Sequence, residues 1–460
     1  MNISRPVSIF EAHDRFLNGK KVREDTWDYE IIPVNAVNIK NRYKLAFGKD
    51  TVPEDRDIKD RLFSAGVDML VETGFFNPDT GKVMHVTEAE IFEGLKKAGK
   101  RLRMGSGKDE VTCERRSGNS SVRPIIQGGP TGTPVSEELF VTMIHAYAQE
   151  ATVDALASGV MSTIDGHPPM TNTPWEIKAT LAEIRAVREG AARAERSGMA
   201  IKGPETPLSI GGHLVSNSGG ALGKTDPHMC SQLNELKIDT TGLNIIAGWV
   251  ADSNIIMMEQ MPIFGGYCGG IEESAICDVA TTLASFAIFG VNIHIDGPIH
   301  MKWGATTARE TLQIAGHVAA AIDANTDILL ANQYYTAAGP CTEMCLLETA
   351  AQAITDTVSG RELLSGVASA KGVSRDKTTP MEARIMGDVA SAAAGMKLSD
   401  ANEMIERLIS GYEDDLSHPP KGRRFQDCYD LRTITPSKEH TEVYENAVQM
   451  LNELGLGLRY

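Results

Sequence analysis

From about residue 121 the chain repeats one rhythm: a short apolar run, a polar or Gly-rich link, then a longer amphipathic stretch. Val122 to Gln127 is a β-type run closed by Gly128-Gly129-Pro130, and Glu137 to Leu156 has helical spacing. Gly159 to Ile164 predicts a second strand. Thr173-Pro174-Trp175-Glu176 is a helix start, with Thr as N-cap, Pro in the first helical position and Glu at N3. That helix runs to about Arg196. Met199 to Lys202 predicts a third strand, Gln232-Leu-Asn-Glu-Leu a short helix, and Leu243 to Val250 a fourth strand. Met261 to Phe264 is the weakest strand signal. Beyond it, Glu272–Phe289 predicts a helix, Val291–Asp296 a strand and Thr306–Ala324 a helix. Asp327–Asn332, Thr342–Thr357, Glu362–Ala368 and Met381–Ala394 continue as strand, helix, strand and helix.

Strand then helix, repeated six to eight times with short links, is the pattern of a parallel sheet. No G-x-G-x-x-G follows the first strand, so a dinucleotide fold has no support. The repeat count fits an α/β fold of the (β/α)8 TIM type over residues 121–398. Residues 1–120 read as a helical N-terminal elaboration, with charged helical pieces at Ile9–Leu17, Ile58–Val71 and Thr87–Gly99. Helices near 399–415 and 438–454 place residues 399–460 as additions packing on the barrel. Gly105-Ser-Gly-Lys-Asp lacks the first Gly and the closing Ser/Thr of a phosphate loop and reads as a plain loop.

Composition narrows the function classes. With 460 residues and 42% hydrophobic content, the chain can bury a large core. Its mean hydropathy of −0.18 is ordinary for a globular enzyme. A formal net charge of −16 argues against non-specific nucleic-acid or acidic-lipid partners, which need clustered Lys and Arg. The N-terminus shows no apolar leader region, and no run approaches the roughly 18–20 apolar residues of a membrane helix. A cytoplasmic protein is the expectation. The seven cysteines, at 113, 230, 268, 277, 341, 345 and 428, form no C-x-x-C. They read as small buried hydrophobes in a reducing compartment. No His, Asp and Glu set has metal-ligand spacing, so no metal is expected.

The chemistry gathers where strands end. In Met199-Ala-Ile-Lys202-Gly-Pro-Glu205, Gly-Pro stops the strand at Lys202. A barrel places its site at the carboxyl ends of its strands. Glu205 follows Lys202, and Glu259 lies in Ile255-Ile-Met-Met-Glu-Gln-Met-Pro after the predicted fourth strand. His294 and Asp296 end the sixth, Gln333 and Tyr335 follow the seventh, and Lys371 comes late in the eighth repeat. A carboxylate among Met257, Met258 and Met261 either finds a partner or takes a proton. A buried ion pair with an inward lysine would satisfy it without catalysis. A histidine on a β run is more often a satisfied core residue than a ligand. A desolvated lysine at a barrel mouth suggests Schiff-base chemistry, with Glu259 or Tyr335 moving protons.

Longer strings point to a family. Gln127-Gly-Gly-Pro-Thr-Gly, Gly203-Pro-Glu-Thr, Ser231-Gln-Leu-Asn-Glu-Leu-Lys-Ile-Asp, Gln260-Met-Pro-Ile-Phe-Gly-Gly-Tyr, Asn332-Gln-Tyr-Tyr, Gly339-Pro-Cys-Thr-Glu-Met-Cys-Leu-Leu-Glu and Ser365-Gly-Val-Ala-Ser-Ala-Lys-Gly resemble the monomethylamine methyltransferases of methylotrophic methanogens. The resemblance spans nearly the whole chain. It implies a (β/α)8 barrel in a homo-oligomer, a hexamer. It implies transfer of a methyl group from monomethylamine to the Co(I) corrinoid of a separate carrier protein, with release of ammonia and no tightly bound cofactor. It also implies pyrrolysine, a lysine whose side-chain amine carries a methyl-pyrroline ring, at the position of Lys202. The family's partners of that ring match Glu259, Gln333 and Tyr335; Glu205, His294 and Asp296 are the candidate substrate-binding residues. Two departures stand out. The letter at 202 is Lys, and Met229 occupies a position where the family has a second carboxylate. A homologue with a true lysine, acting on another methylated amine or by Schiff-base chemistry, and a barrel that only docks a corrinoid protein are the alternatives.

Overall fold

Eight parallel strands form the centre of the computed structural model, which describes residues 6–458. They are β1 (Ile125–Gly128), β2 (Ala155–Ala157), β3 (Ile201–Lys202), β4 (Pro227–Ser231), β5 (Ile255–Glu259), β6 (Ile293–Asp296), β7 (Leu330–Tyr335) and β8 (Leu363–Ala368). The sheet runs β3-β2-β1-β8-β7-β6-β5-β4. Its two ends meet at a bridge between Gly203 and His228. There the Gly203 N–H donates to Pro227 O at 3.1 Å and the Met229 N–H to Gly203 O at 2.9 Å. The ring is thus closed. Each strand is followed by a helix: α1 (Phe140–Ala148), α2 (Pro174–Arg193), α3 (Ile210–Leu214), α4 (Thr240–Asp252), α5 (Ile271–Ala287), α6 (Arg309–Asn325), α7 (Glu343–Ser359) and α8 (Pro380–Ala393). This is the (β/α)8 TIM-type barrel that the strand–helix rhythm predicts.

The two-residue period of a strand decides what faces where. Ala155, Ala200, Ile255, Met257, Ile293, Ile295, Ala331 and Leu363 fill the barrel interior. Their neighbours Leu156, Ile201 and Leu364, with Ile256 and Met258, face the helices. The floor of the barrel is closed by an antiparallel hairpin, Arg101–Met104 with Val111–Glu114, whose buried Met104 and Cys113 join the interior cluster. The Gly105–Asp109 stretch is the tip of that hairpin, as its loop composition suggests.

Several expected elements move. Leu243–Val250 is helix α4, not a strand. Asp239 caps it by accepting the Gly242 N–H at 2.7 Å, and Leu243, Ile246 and Trp249 are its buried stripe at three-residue spacing. The fourth strand is instead Pro227–Ser231, whose mixed polarity hides it. Gln232–Leu236 is a loop, held by the Leu233 N–H on Lys237 O at 2.9 Å. Helix α1 ends at Ala148, so β2 begins inside the expected helix. Val160–Met161 pairs with Pro134–Val135 in a side ribbon, and Ile263–Phe264 pairs with Ile299–His300 in another. Glu259 therefore closes β5 rather than lying beyond a fourth strand.

The remaining segments pack on the helical layer. Helix Arg56–Thr73 lies so close to α5 that a Cβ at Gly66 would stand 2.2 Å from Val279 Cγ1; at Gly94, in helix Glu88–Lys97, it would stand 2.5 Å from Ala287 Cα. Helices Leu398–Tyr412 and Lys438–Glu453 rest on α7. The stretch read for a leader begins in residues 1–5, outside the described residues. Among the described residues no helix is long and apolar enough to cross a membrane.

Candidate active site

Lys202 ends β3 and its side chain is fully buried inside the barrel mouth. Its Nζ donates to Thr131 Oγ1 at 2.7 Å and Gln333 Oε1 at 3.2 Å, and pairs with Glu205 Oε1 at 3.2 Å. Three acceptors match the three N–H donors of an ammonium group. The acceptors are themselves tied together. The Thr131 hydroxyl donates to Glu205 Oε1 at 2.9 Å, the Gly132 N–H to Glu205 Oε2 at 2.5 Å, and Gln333 Nε2 to Thr131 Oγ1 at 3.1 Å. Below this set, Ser365 Oγ donates to Gln127 Oε1 at 2.8 Å. The other amide atom of Gln127, Nε2, is buried with no hydrogen-bond partner among the described residues.

Glu259 faces the same space from β5. Ser231 Oγ on β4 donates to its Oε2 at 3.1 Å. Burial in the barrel mouth pushes the Glu259 carboxyl up, and the Lys202 charge pulls it part of the way back. Burial also holds the Tyr335 phenol protonated, reinforced by the charges of Glu259 and Glu205. Tyr335 reaches across the mouth to the loop after β1. A Cβ on Gly132, whose φ is +66°, would stand 2.6 Å from the Tyr335 hydroxyl. Gly132→Ala is therefore expected to cost about 1–3 kcal/mol from left-handed backbone strain alone, and more from the displaced phenol. Adding Tyr335→Phe should recover part of the loss. Thermal unfolding of the single and double variants checks this; an Ala variant as stable as the parent would refute the close approach.

The loop carrying Glu205 is held from α2. Glu183 accepts the Glu205 and Thr206 N–H groups, each at 2.9 Å, and the Ser158 hydroxyl at 2.6 Å. Burial outweighs these bonds and pushes its carboxyl up to about 7. A raised folded value means the folded state binds the extra proton. The contribution of Glu183 to stability is thus full below its ordinary value and is lost as pH rises through about 7. The unfolding midpoint is expected to fall between about pH 5 and pH 8, with a shallower fall in Glu183→Gln. Calorimetry across that range reads the slope, and an unchanged slope in the variant would remove Glu183 from the account.

The structure separates His294 and Asp296 from this group. With Ile293 and Ile295 facing inward, both point outward into the helical layer. His294 Nδ1 meets Ser285 Oγ of α5 at 2.8 Å, and burial pushes its imidazole down to about 3, which keeps it neutral. Asp296 pairs with the buried Arg361 at 2.8 Å. Neither lines the mouth, so the expectation that they bind substrate is corrected. Lys371 lies in the loop after β8 with φ +65° and its N–H on Thr336 O at 2.8 Å, at the rim. Met229 shares the inward parity of Ser231 on β4. Thr131, Ser231 and Glu183 were not singled out by sequence reasoning. Ser231 ends β4 and Thr131 lies in the loop after β1, both inside quoted motifs, where a polar residue is a signal; Glu183 on a helix gives none.

Residues 7–456 match the family model described as monomethylamine methyltransferase MtmB. Monomethylamine methyltransferase MtmB1 of Methanosarcina acetivorans is 47% identical over 456 residues, covering 99% of this chain and 100% of its own. MtmB of Methanosarcina mazei matches at 47% with the same coverage. The crystal structure of the Methanosarcina barkeri enzyme superposes with a TM-score of 0.97 at 46% identity, over 99% of both chains. The structure of a hydroxylamine complex of MtmB superposes equally well. With that full-length identity and a shared barrel, this chain is a methyltransferase and belongs to the monomethylamine methyltransferase MtmB family.

Proposed function

We propose that this chain transfers the methyl group of monomethylamine to the Co(I) corrinoid of a carrier protein and releases ammonia. The observation that carries the reading is the closed polar set of Lys202, Glu205, Thr131 and Gln333 in the barrel mouth, faced by Glu259 and Tyr335. In the reaction the C–N bond of methylammonium breaks, its electron pair stays on nitrogen, and the two cobalt electrons form the new bond to carbon. Unprotonated, the nitrogen would have to leave as an amide anion, a poor leaving group, so it must stay cationic until the bond breaks. Glu259, whose carboxyl is pushed up by burial, is suited to hold that proton or hydrogen-bond it. Positioning and fixed charge supply most of the remaining effect.

Position 202 is proposed as the residue that holds methylamine, carrying the methyl-pyrroline ring of pyrrolysine, whose electrophilic imine carbon the amine adds to. The surroundings fit an acylated Nζ. Such an amide keeps one N–H, which Thr131 or Gln333 can accept, and it removes the charge that Glu205 balances. Glu205 and Glu259 would then present two carboxylates to a cationic substrate. Hydroxylamine, found in a complex of a related MtmB, is likewise a small nitrogen nucleophile. Schiff-base chemistry by a plain lysine is less well supported, because the three acceptors around Nζ suit an ammonium with no free electron pair. Peptide mass spectrometry at residue 202 decides between them. A residue heavier than lysine is expected, and an unmodified lysine would end the pyrrolysine reading.

The partner belongs to the same proposal. Exposed apolar side chains stand on five of the loops that follow barrel strands: Met170, Leu208, Leu233, Met301 and Val373. They ring the mouth to which a corrinoid must be presented, and a homohexamer and a cytoplasmic setting, reducing enough to keep Co(I), complete the reading. Methylation of a Co(I) corrinoid protein by methylamine, followed spectroscopically, tests the function. No methylation with methylamine or a related amine would leave only a docking role.

A further inference from the structure

Cys341, Cys428 and His440 come from three separate segments, yet their ligand atoms lie within 4.8 Å of one another. The backbone brings them together. The loop after β7 meets the C-terminal segment so closely that a Cβ on Gly339 would stand 2.2 Å from Lys421 O, and one on Gly422 2.3 Å from Gly339 C. The Gly339 N–H donates to Pro420 O at 2.9 Å, and the Arg423 N–H to Pro340 O at 3.0 Å. This seats Cys341 beside Cys428. The Cys428 carbonyl then accepts the Ser437 N–H at 2.7 Å. Ser437 caps helix Lys438–Glu453 by accepting the His440 N–H on its hydroxyl, which fixes His440 over the pair.

The imidazole of His440 is fully buried, and neither ring nitrogen has a hydrogen-bond partner among the described residues. The nearby Cys428 carbonyl, which accepts the Ser437 N–H, has one lone pair left and can serve only one of the two ring nitrogens. Glu382 adds a second oddity. One of its buried carboxyl oxygens also has no partner among the described residues, and it acts electrostatically on both thiols. A buried imidazole without a partner costs free energy unless something meets it.

We propose that Cys341, Cys428 and His440 bind one zinc-class divalent cation, which clamps the C-terminal helix to the loop that follows β7. Two sulfurs and one imidazole are a soft donor set that suits zinc. Tetrahedral bonds of about 2.0–2.3 Å place donors roughly 3.3–3.8 Å apart, so the cluster needs only a small contraction. Binding exchanges two thiol protons for the cation, moves no electrons, and uses the neutral histidine. The half-exposed side of Cys341 leaves the fourth position for water. The site shares no residue with the group around Lys202 and does not rest on the methyl-transfer reading.

The test uses the full-length chain purified anaerobically with reductant and no corrinoid protein. Elemental analysis should find about one zinc per chain. Exchange with Co(II) should give a thiolate-to-cobalt charge-transfer band. Cys341→Ser and His440→Gln should each lower the metal retained after dialysis against a chelator at least tenfold, and the chelator should lower the unfolding midpoint of the parent but not of the variants. Because the band is read on the parent protein, a variant that misfolds does not blunt the test. A parent protein with no zinc and no charge-transfer band overturns the site. So does a metal-free Cys341–Cys428 disulfide in the reduced preparation, or full retention of metal by folded forms of both variants.

Discussion

Glu259→Gln is expected to lower methyl transfer by roughly two orders of magnitude, the lower range for loss of a positioned acid or base, while leaving the fold intact. The substitution keeps shape and keeps an acceptor for the Ser231 hydroxyl, so the 3.1 Å bond can persist. What is lost is the proton. An acid with a raised value is protonated below that value, so the wild-type rate should decline as pH rises through it, and the Gln variant should lose that limb. Tyr335→Phe is the contrast: it removes one hydroxyl, worth on the order of 1 kcal/mol or about fivefold, and leaves the pH limb in place. Single-turnover methylation of the corrinoid protein across pH separates the two. A Gln variant with parental turnover would make the Glu259 carboxyl a structural acceptor for the Ser231 hydroxyl rather than a proton donor.

The residues that gather around Lys202 were readable because the rule that selects them is geometric. A lysine stopped by Gly-Pro must end a strand, and strand ends in a barrel share one face. The same rule failed for His294 and Asp296, which also end a strand. Its missing ingredient is parity. Ile293 and Ile295 are as apolar as His294 and Asp296 are polar, so the alternation was present, but in a barrel the apolar set can be the inner one. Polar residues then point outward, between sheet and helices.

Helix α4 and strand β4 were exchanged for a related reason. Leu243–Val250 is apolar enough to serve as either element, and periodicity cannot arbitrate a short apolar run. The distinguishing mark, Asp239 three residues before Gly242, is a helix cap that lies outside the run. Pro227–Ser231 carries Pro, His and Ser and reads as a loop, yet it closes the barrel against Gly203. The cysteine–histidine cluster could not be read at all, since its donors converge only through loop contacts. Scattered cysteines with no spacing pattern are uninformative until the fold is known.

The largest effect on stability is expected from Arg361→Leu. Arg361 is fully buried between the barrel and its helices. It holds Asp296 at 2.8 Å and Asp356 at 2.9 Å, and donates to the carbonyls of Ala331 and Ala315, each at 3.0 Å. Burial works against its charge, but Asp296 and Asp356 more than offset this and keep the guanidinium protonated. Burial pushes Asp296 up to about 6 even with Arg361 in place, and burial with the nearby Asp296 charge pushes Asp278 well above the ordinary carboxyl range. Leucine would leave these acids together without a cation. Breaking a buried pair in this way costs about 3–5 kcal/mol. The sign with pH follows from linkage. The acids then have folded values raised further above their unfolded ones, so stability is retained at low pH and lost as pH rises through them. The gap between parent and variant should therefore widen from about pH 5 to pH 8, and Asp296→Asn added to Arg361→Leu should narrow it. Chemical denaturation at both pH values measures the gap. A loss below about 1 kcal/mol, equal at both, would show that Asp296 does not depend on Arg361 and would reopen the question of what that carboxylate is for.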